Sequence, residues 1–308
     1  MTASPELAAT DRRAVEATIS NLARMMRDQE FTSINDAQSF LDAHVDQLNG
    51  GDVPAPTSPV EAAQSVMYEA WDATGRERIR LAREALAISA DCADAYVLLA
   101  EDGAATPAEA VALYREGVAA GERHLGDRLQ SDAGYFWGEI DTRPYMRARA
   151  GLAEALWEVG RKAEALEHMW ELLRLNPNDN QGVRDALLPR LLAQHDHASA
   201  HRLIDMFDDD GTAIFAYGRA LLVYAEEGAT ATADTALDSA LSTNEFVPPY
   251  LLGLRRVPRK LPDTMGFGDE DEGVICAAHH FAAWASVQGA TTWLGYRWPG
   301  PAGSRVHA

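Results

Sequence analysis

The chain has 308 residues, of which 47% are hydrophobic and 8% aromatic, and this composition predicts a substantial core rather than a disordered polymer. Its 47 acidic and 27 basic residues leave a formal charge of −20, which argues against nucleic acid and membrane surfaces as partners, because both attract clustered Lys and Arg. Cys92 and Cys276 lie far apart, so neither a disulfide framework nor a zinc ribbon is expected. Without an apolar leader or a run of about 18 apolar residues, we expect a cytoplasmic protein.

Helical periodicity dominates from the N-terminus onward. Residues 1–52 are predicted to form a helical pair joined around EFTSINDAQSF, with Ser33 or Asn35 as the N-cap of the second helix. The stretch NGGDVPAPTSP, from Asn49 to Pro59, is rich in glycine and proline and therefore indicates a linker.

A repeat with a period of about 34 residues follows the linker. In the unit that begins at Met146, small or apolar residues fall where two packed helices need them, with a turn glycine and a closing proline. The unit beginning at Ile214 has the same pattern, and the one beginning at Asn180 has a weaker form of it. The matching residues of the first unit are Leu152, Ala153, Leu156, Gly160, Ala165, Met169, Leu172 and Pro177.

The repeat predicts an array of about five helical hairpins over residues 59–244, with an insertion at about 121–145. Small residues allow two helices of one hairpin to approach closely, and each hairpin leaves an apolar face that only its neighbour can cover. The predicted fold class is therefore all-α: a TPR-like helical-hairpin solenoid (an α-α superhelix) with an N-terminal helical pair and a C-terminal helical cap.

The repeat ends after Asn244, where a proline-rich stretch begins. Residues 245–295 are predicted to be a capping segment, in which the acidic run GDEDEG favours a helix start at Glu272. That helix, predicted to run to Ser286, would cover the open apolar face of the last hairpin. Residues 296–308 are predicted to be a disordered tail.

The chain resembles a group of bacterial tetratricopeptide-repeat (TPR) proteins of undefined role, which are similar to the TPR part of the suppressor-of-tumorigenicity family. The resemblance covers roughly Val97 to Leu294 and is most specific at LNPNDNQGVR. It implies an α-helical solenoid and no established activity. Some members of that group carry a cysteine-rich zinc motif; this chain lacks the cysteines, so the resemblance implies no zinc.

In a TPR superhelix the first helix of each hairpin lines a concave groove. Applied to this chain, that geometry predicts an apolar groove with two arginines, Arg147 and Arg184, on adjacent helices. Guanidinium groups bind carboxylates in fork geometry, so the groove would hold a peptide or a partner helix. The alternative is that the arginines pair with Glu154, Asp179 and Asp185 of the chain itself. The predicted groove residues are Arg143, Tyr145, Arg147, Glu154, Trp157, Asn178, Asn180, Gln181, Arg184, Leu188, Phe215 and Leu222.

Three histidines, His195, His197 and His201, are weak candidates for a metal site, since His197 and His201 stand four residues apart on a helix face. The repeat places them at a turn and an outer face, which favours a solvated cluster. We therefore expect neither a metal nor another cofactor.

No nucleophile, phosphate-loop or metalloprotease motif occurs in the sequence, so an enzyme is not expected. The cluster in GEIDTRPY leaves a hydrolase-type site near Glu139 and Asp141 as the weakest alternative. The favoured hypothesis is a cytoplasmic protein-interaction module, or adaptor, with a protein or peptide partner. The second is an architectural, self-associating solenoid, hence a homo-oligomer, whose groove is filled by N-terminal helices of the same or another copy.

Overall fold

The predicted fold class is confirmed. The structure, a computed structural model, describes residues 12–50, 53–298 and 300, and these residues form α-helices, short helical turns and no strand. The contacts divide them into two units, which lie within Ala9–Asn180 and Gln181–Ala308. The domain boundaries predicted from the sequence stay predictions.

The first unit holds the N-terminal helical pair, three helical hairpins and a connecting segment. Its helices are α1 (Arg12–Met26), α2 (Ile34–Gly50), α3 (Pro59–Asp72), α4 (Arg76–Ile88), α5 (Ala93–Leu98), α6 (Pro107–Leu125), α7 (Arg128–Ser131), α8 (Arg143–Glu158) and α9 (Lys162–Leu175). A π-helical turn, Leu99–Gly103, follows α5, and two 3₁₀ turns, Phe136–Gly138 and Ile140–Thr142, lead into α8.

The second unit contains two hairpins followed by the C-terminal cap. Its helices are α10 (Val183–Ala193), α11 (His197–Met206), α12 (Ala213–Glu227), α13 (Ala231–Thr243), α14 (Val247–Leu251), α15 (Glu270–Ser286) and α16 (Ala290–Arg297). The capping helix α15 thus begins two residues before the predicted start and ends where it was expected.

The helices begin where the sequence offers a cap. Ser58 and Thr106 accept hydrogen bonds from the backbone N–H groups three residues later, and a proline follows each of them at the first helical position. Ser33 does the same for α2, because its Oγ accepts from the N–H of Asp36 at 3.1 Å. The predicted cap of the second N-terminal helix is therefore confirmed.

The repeat positions form the core, as predicted. In α8 and α9 the side chains of Leu152, Leu156, Ala165 and Leu172 are no more than 2% exposed. In the first unit α8 packs between α6 and α9, α5 packs against α6 and α8, and α1 packs on α3. In the second unit α12 pairs with α13, and α15 packs against α10, α12 and α14. Among the described residues, no helix is both long and apolar enough to cross a membrane.

Candidate functional site

A buried ion-pair cluster in the first unit centres on Arg147 of α8. Its guanidinium grips Asp94 of α5 in fork geometry, with Nε 2.8 Å from Oδ1 and Nη2 2.6 Å from Oδ2. The third nitrogen, Nη1, lies 2.9 and 2.7 Å from the two carboxylate oxygens of Glu16 in α1. The Arg147 side chain is 12% exposed, Glu16 2% and Asp94 0%, so solvent screens these charges little.

Arg143, one helical turn before Arg147, completes the cluster. Its Nη1 lies 3.3 Å from Oε1 of Glu16, and its guanidinium lies over the Trp137 ring, 5.0 Å from the centroid. The Nε of Arg143 donates to the carbonyl of Trp137 at 3.1 Å. Two arginines of α8 therefore converge on one carboxylate that belongs to a different helix.

The electrostatics follow from burial and from these charges. Burial tends to lower the pKa of Arg147, but the attraction of Asp94 and Glu16 outweighs it and raises that pKa above its usual value. Burial, reinforced by the Asp94 charge, raises the pKa of Tyr68 to about 12 and that of the Cys92 thiol to about 12. Tyr68 and Cys92 are thus neutral at physiological pH, so they contribute no charge to the cluster.

Polar side chains of α3 extend the cluster. Gln64 donates from Nε2 to Asp94 at 2.8 Å, and Ser65 Oγ lies 3.4 Å from Nη1 of Arg24 in α1. We call this surface of α3, α5 and α8 the α1-binding face. It consists of Gln64, Ser65, Tyr68, Asp94, Arg143 and Arg147.

The other predicted groove residues of the first unit have varied surroundings. Tyr145 is buried, and its hydroxyl accepts from Nη2 of Arg149 at 2.5 Å. Trp157 is half-buried, with the Lys162 ammonium 5.3 Å from its ring centroid. Glu154 is half-buried, while Asn178 and Asn180 are exposed. The cluster does not include these five.

In the second unit, Arg184 forms an ion pair with Asp210, 2.8 Å from Nε to Oδ2, and lies over the Phe207 ring. Burial opposes ionisation of Asp210, but its hydrogen bonds with Thr212 and Arg184 outweigh this and lower its pKa. Asp185, one of the three acidic partners expected from the sequence, also lies within ion-pair distance, with its Oδ1 4.0 Å from Nε of Arg184. Arg147 therefore pairs with Glu16 and Asp94, which the sequence did not indicate, whereas Arg184 has both Asp210 and the expected Asp185 within ion-pair distance.

The apolar groove residues of the second unit lie in its core. Leu188, Phe215 and Leu222 are at most 2% exposed, and α15 packs against α10 and α12, the two helices that carry them. Gln181 is half-buried at the start of the unit. A ligand-binding role for the twelve groove residues stays a prediction.

Two of the three candidate histidines, His197 and His201, lie close to the carboxylate of Glu226. His201 Nε2 lies 3.0 Å and His197 Nδ1 3.7 Å from Glu226 Oε1, while the His195 ring is 6.3 Å from that of His197. Within the described part of the chain, no group of three or more His, Cys, Asp or Glu side chains is arranged to hold a metal ion.

The residues of the enzyme alternative lie at the surface. Asp141 is 44% exposed and pairs with Arg128 at 2.5 Å, and Glu139, two residues earlier, is also exposed. Sequence reasoning had not singled out Glu16 and Asp94. The available signal for Glu16 was its place on one helix face with Ser20 and Arg24, whereas nothing in the sequence marked Asp94.

Comparisons with known proteins identify the family. The family described as ST7 protein matches residues 54–302. The rat Suppressor of tumorigenicity 7 protein-like is 27% identical over 292 residues, which cover 87% of this chain and 50% of the relative. The human protein of that name is also 27% identical, with 48% of its length covered, and Protein ST7 homolog of Caenorhabditis briggsae is 29% identical over 77% of this chain.

This chain therefore spans about half the length of the curated relatives it matches. The predicted resemblance to the suppressor-of-tumorigenicity family is confirmed, while its bacterial grouping and the TPR assignment stay predictions. The match covers well over half of the residues, and the chain belongs to the ST7 protein family.

Proposed function

We propose that the chain is a cytoplasmic protein-interaction module, or adaptor, built from TPR-type hairpins, which binds a partner helix or peptide on the α1-binding face. One observation carries the proposal: Arg143 and Arg147 of α8 hold the buried carboxylate of Glu16, which lies on a separate helix. The face thus already binds a helix through a charge-assisted contact of the kind that anchors peptides.

The chemistry of the face suits recognition better than catalysis. Asp94 orients the guanidinium of Arg147, so its remaining nitrogen is positioned for a carboxylate before any ligand arrives. Trp137 likewise orients the guanidinium of Arg143, which lies over the tryptophan ring. A site that is ordered in advance loses little side-chain entropy on binding, and this favours specific binding.

A second candidate, the architectural solenoid, is favoured by the packing of the chain's own helices. In the first unit α1 covers α3, and in the second α15 covers α10 and α12. In that case the faces of the hairpins serve self-assembly or internal cohesion, and no foreign peptide enters them.

Affinity capture from a cell lysate separates the two. The baits are the full wild-type chain, Arg143→Glu, and Arg83→Glu as the matched control, since Arg83 is an exposed arginine on α4. We expect at least one partner that wild type and Arg83→Glu retain and Arg143→Glu loses. Because Arg143→Glu places a carboxylate against Glu16 and should lower the melting temperature, all three captures are made well below the melting temperature of that variant. Identical partner lists for the three baits would contradict the proposal that the α1-binding face binds a partner, and would favour the architectural role.

A further inference from the structure

We infer that α1 occupies the α1-binding face as an exchangeable internal stand-in for a partner helix of the same chemistry. That chemistry is a Glu, a small hydroxyl residue and an Arg at successive four-residue intervals, as in Glu16, Ser20 and Arg24. The inference rests on the proposed function, because it specifies which partner the face takes and what competes with that partner.

The three residues lie on one side of α1, since residues four apart in a helix share a face. Each contacts a different part of the α1-binding face. Glu16 lies against Arg147 and Arg143, Ser20 hydrogen-bonds with Tyr68, and Arg24 lies 3.4 Å from Ser65. These spaced polar contacts fix the register of the helix, because a shift by one residue would break all of them.

The attachment of α1 is mainly polar. Of its side chains from residue 15 to 26, Met25 is the single apolar one that is buried, while Glu16 and Arg24 are the buried charges. Val15 and Ile19 are 58% and 37% exposed. Little apolar area is therefore lost when α1 leaves, and a rival carboxylate replaces the main interaction with an equivalent one.

The helix that follows α1 adds little to hold it in place. None of the α2 side chains from residue 34 to 47 is buried, although Ile34 and Val45 are apolar and 88% and 47% exposed. Segments with few buried apolar contacts open at low free energy. The N-terminal helical pair therefore has the properties of a segment that exchanges.

The central fork of the face is made entirely by residues outside α1. Arg147 binds Glu16 through Nη1 alone and binds Asp94 through Nε and Nη2, so its fork with Asp94 does not depend on α1. Without α1, the face holds Arg147, whose charge Asp94 neutralises, and Arg143, which has lost its Glu16 partner. A single carboxylate matches the one positive charge that remains. A polyanion such as nucleic acid needs more cations than this, and the overall charge of −20 repels it.

The test uses the full chain and a synthetic, fluorescein-labelled peptide of residues 12–28. Glu16→Lys places an ammonium against Arg143 and Arg147 and releases α1, while Asp28→Lys makes the same charge change at an exposed position. Fluorescence anisotropy should show the peptide binding to Glu16→Lys at least about ten-fold more tightly than to wild type or Asp28→Lys. A peptide with Glu16→Gln should bind at least about ten-fold more weakly than the wild-type peptide.

Ala17→Pro provides a second releasing variant, because proline breaks α1 without altering any charge. Hydrogen exchange of residues 15–26 reports whether each variant has released the helix. Equal peptide binding to wild type and to both releasing variants would overturn the inference but leave an interaction surface elsewhere. No binding to a variant with a released α1 would overturn the proposed function as well. Equal affinity of the two peptides would overturn carboxylate recognition.

Discussion

Tyr114 of α6 lies directly over Gly151 of α8, so closely that a β carbon at residue 151 would stand 2.1 Å from Cε1 of the tyrosine ring. Real atoms do not approach to this distance, so the ring or the helix would have to move. Gly151 therefore allows α6 and α8, which pack on each other in the first unit, to approach closely.

Gly151→Ala is expected to destabilise the protein by about 1–3 kcal/mol, the usual cost of overpacking a core. Urea unfolding followed by circular dichroism measures the change. Gly138→Ala is the matched control, since no atom lies within 4 Å of the added β carbon and the backbone angle is ordinary. Adding Tyr114→Leu to Gly151→Ala should restore part of the loss; no restoration would mean that the tyrosine is not the obstacle.

Removing the carboxylate that orients Arg147 should be costly. Asp94→Ala leaves the guanidinium with one carboxylate in place of two and opens a buried polar space, for which we expect a loss of about 3 kcal/mol. Asp127→Ala, at an exposed aspartate before α7, should change the unfolding free energy by less than about 0.5 kcal/mol. Similar losses in the two variants would show that the fork contributes little to stability.

The second unit should lose stability in mild acid because of His280. Its side chain is fully buried, Nε2 donates to the carbonyl of Ile214 at 2.8 Å, and Nδ1 has no hydrogen-bond partner. Burial lowers the pKa of His280 to about 3, against 6.5 for an unperturbed histidine. The unfolded chain therefore binds a proton between these values that the folded chain rejects.

Above pH 6.5 His280 is neutral in both the folded and the unfolded chain and does not reduce the free energy of unfolding. As the pH falls from 6.5 toward 3, only the unfolded chain binds the proton, so the free energy of unfolding decreases. The slope approaches about 1.4 kcal/mol per pH unit below pH 6.5, hence a loss of about 2 kcal/mol between pH 7 and 5. Urea unfolding at three pH values should give a shallower pH dependence for His280→Gln than for wild type. His124→Gln, at an exposed histidine, should keep the wild-type slope; equal slopes in all three proteins would contradict the assignment.

The hairpins were predictable because their core residues recur at a helical spacing within each unit. Leu152, Leu156 and Leu237 are buried because the pattern requires them to face a neighbouring helix. The start of α10 was less predictable. Its N-cap is Gly182, which lies in the left-handed region with φ 70° and has no side chain to accept a hydrogen bond from the first turn.

The ion pairs could not be read from the sequence, because their partners lie far apart along it. Arg147 is separated along the sequence from its partner Glu16 by 131 residues and from its partner Asp94 by 53. Periodicity reports which face of a helix is buried but not which charge it meets. Glu272 illustrates the same limit: it was expected to favour a helix start, yet it is buried and accepts from the N–H of Ala213 at 3.0 Å, which ties α15 to the start of α12.

The packing of α10 against α15 has a consequence for biosynthesis. Leu187, Leu188, Leu191 and Leu192 are all almost fully buried, so α10 has apolar side chains on several sides at once. A ribosome that has released α10 must add about 80 more residues before α15 emerges, which takes several seconds at the usual rate of about 5–20 residues per second. During that interval the side of α10 that α15 covers stays exposed to solvent, which makes the nascent unit prone to aggregation.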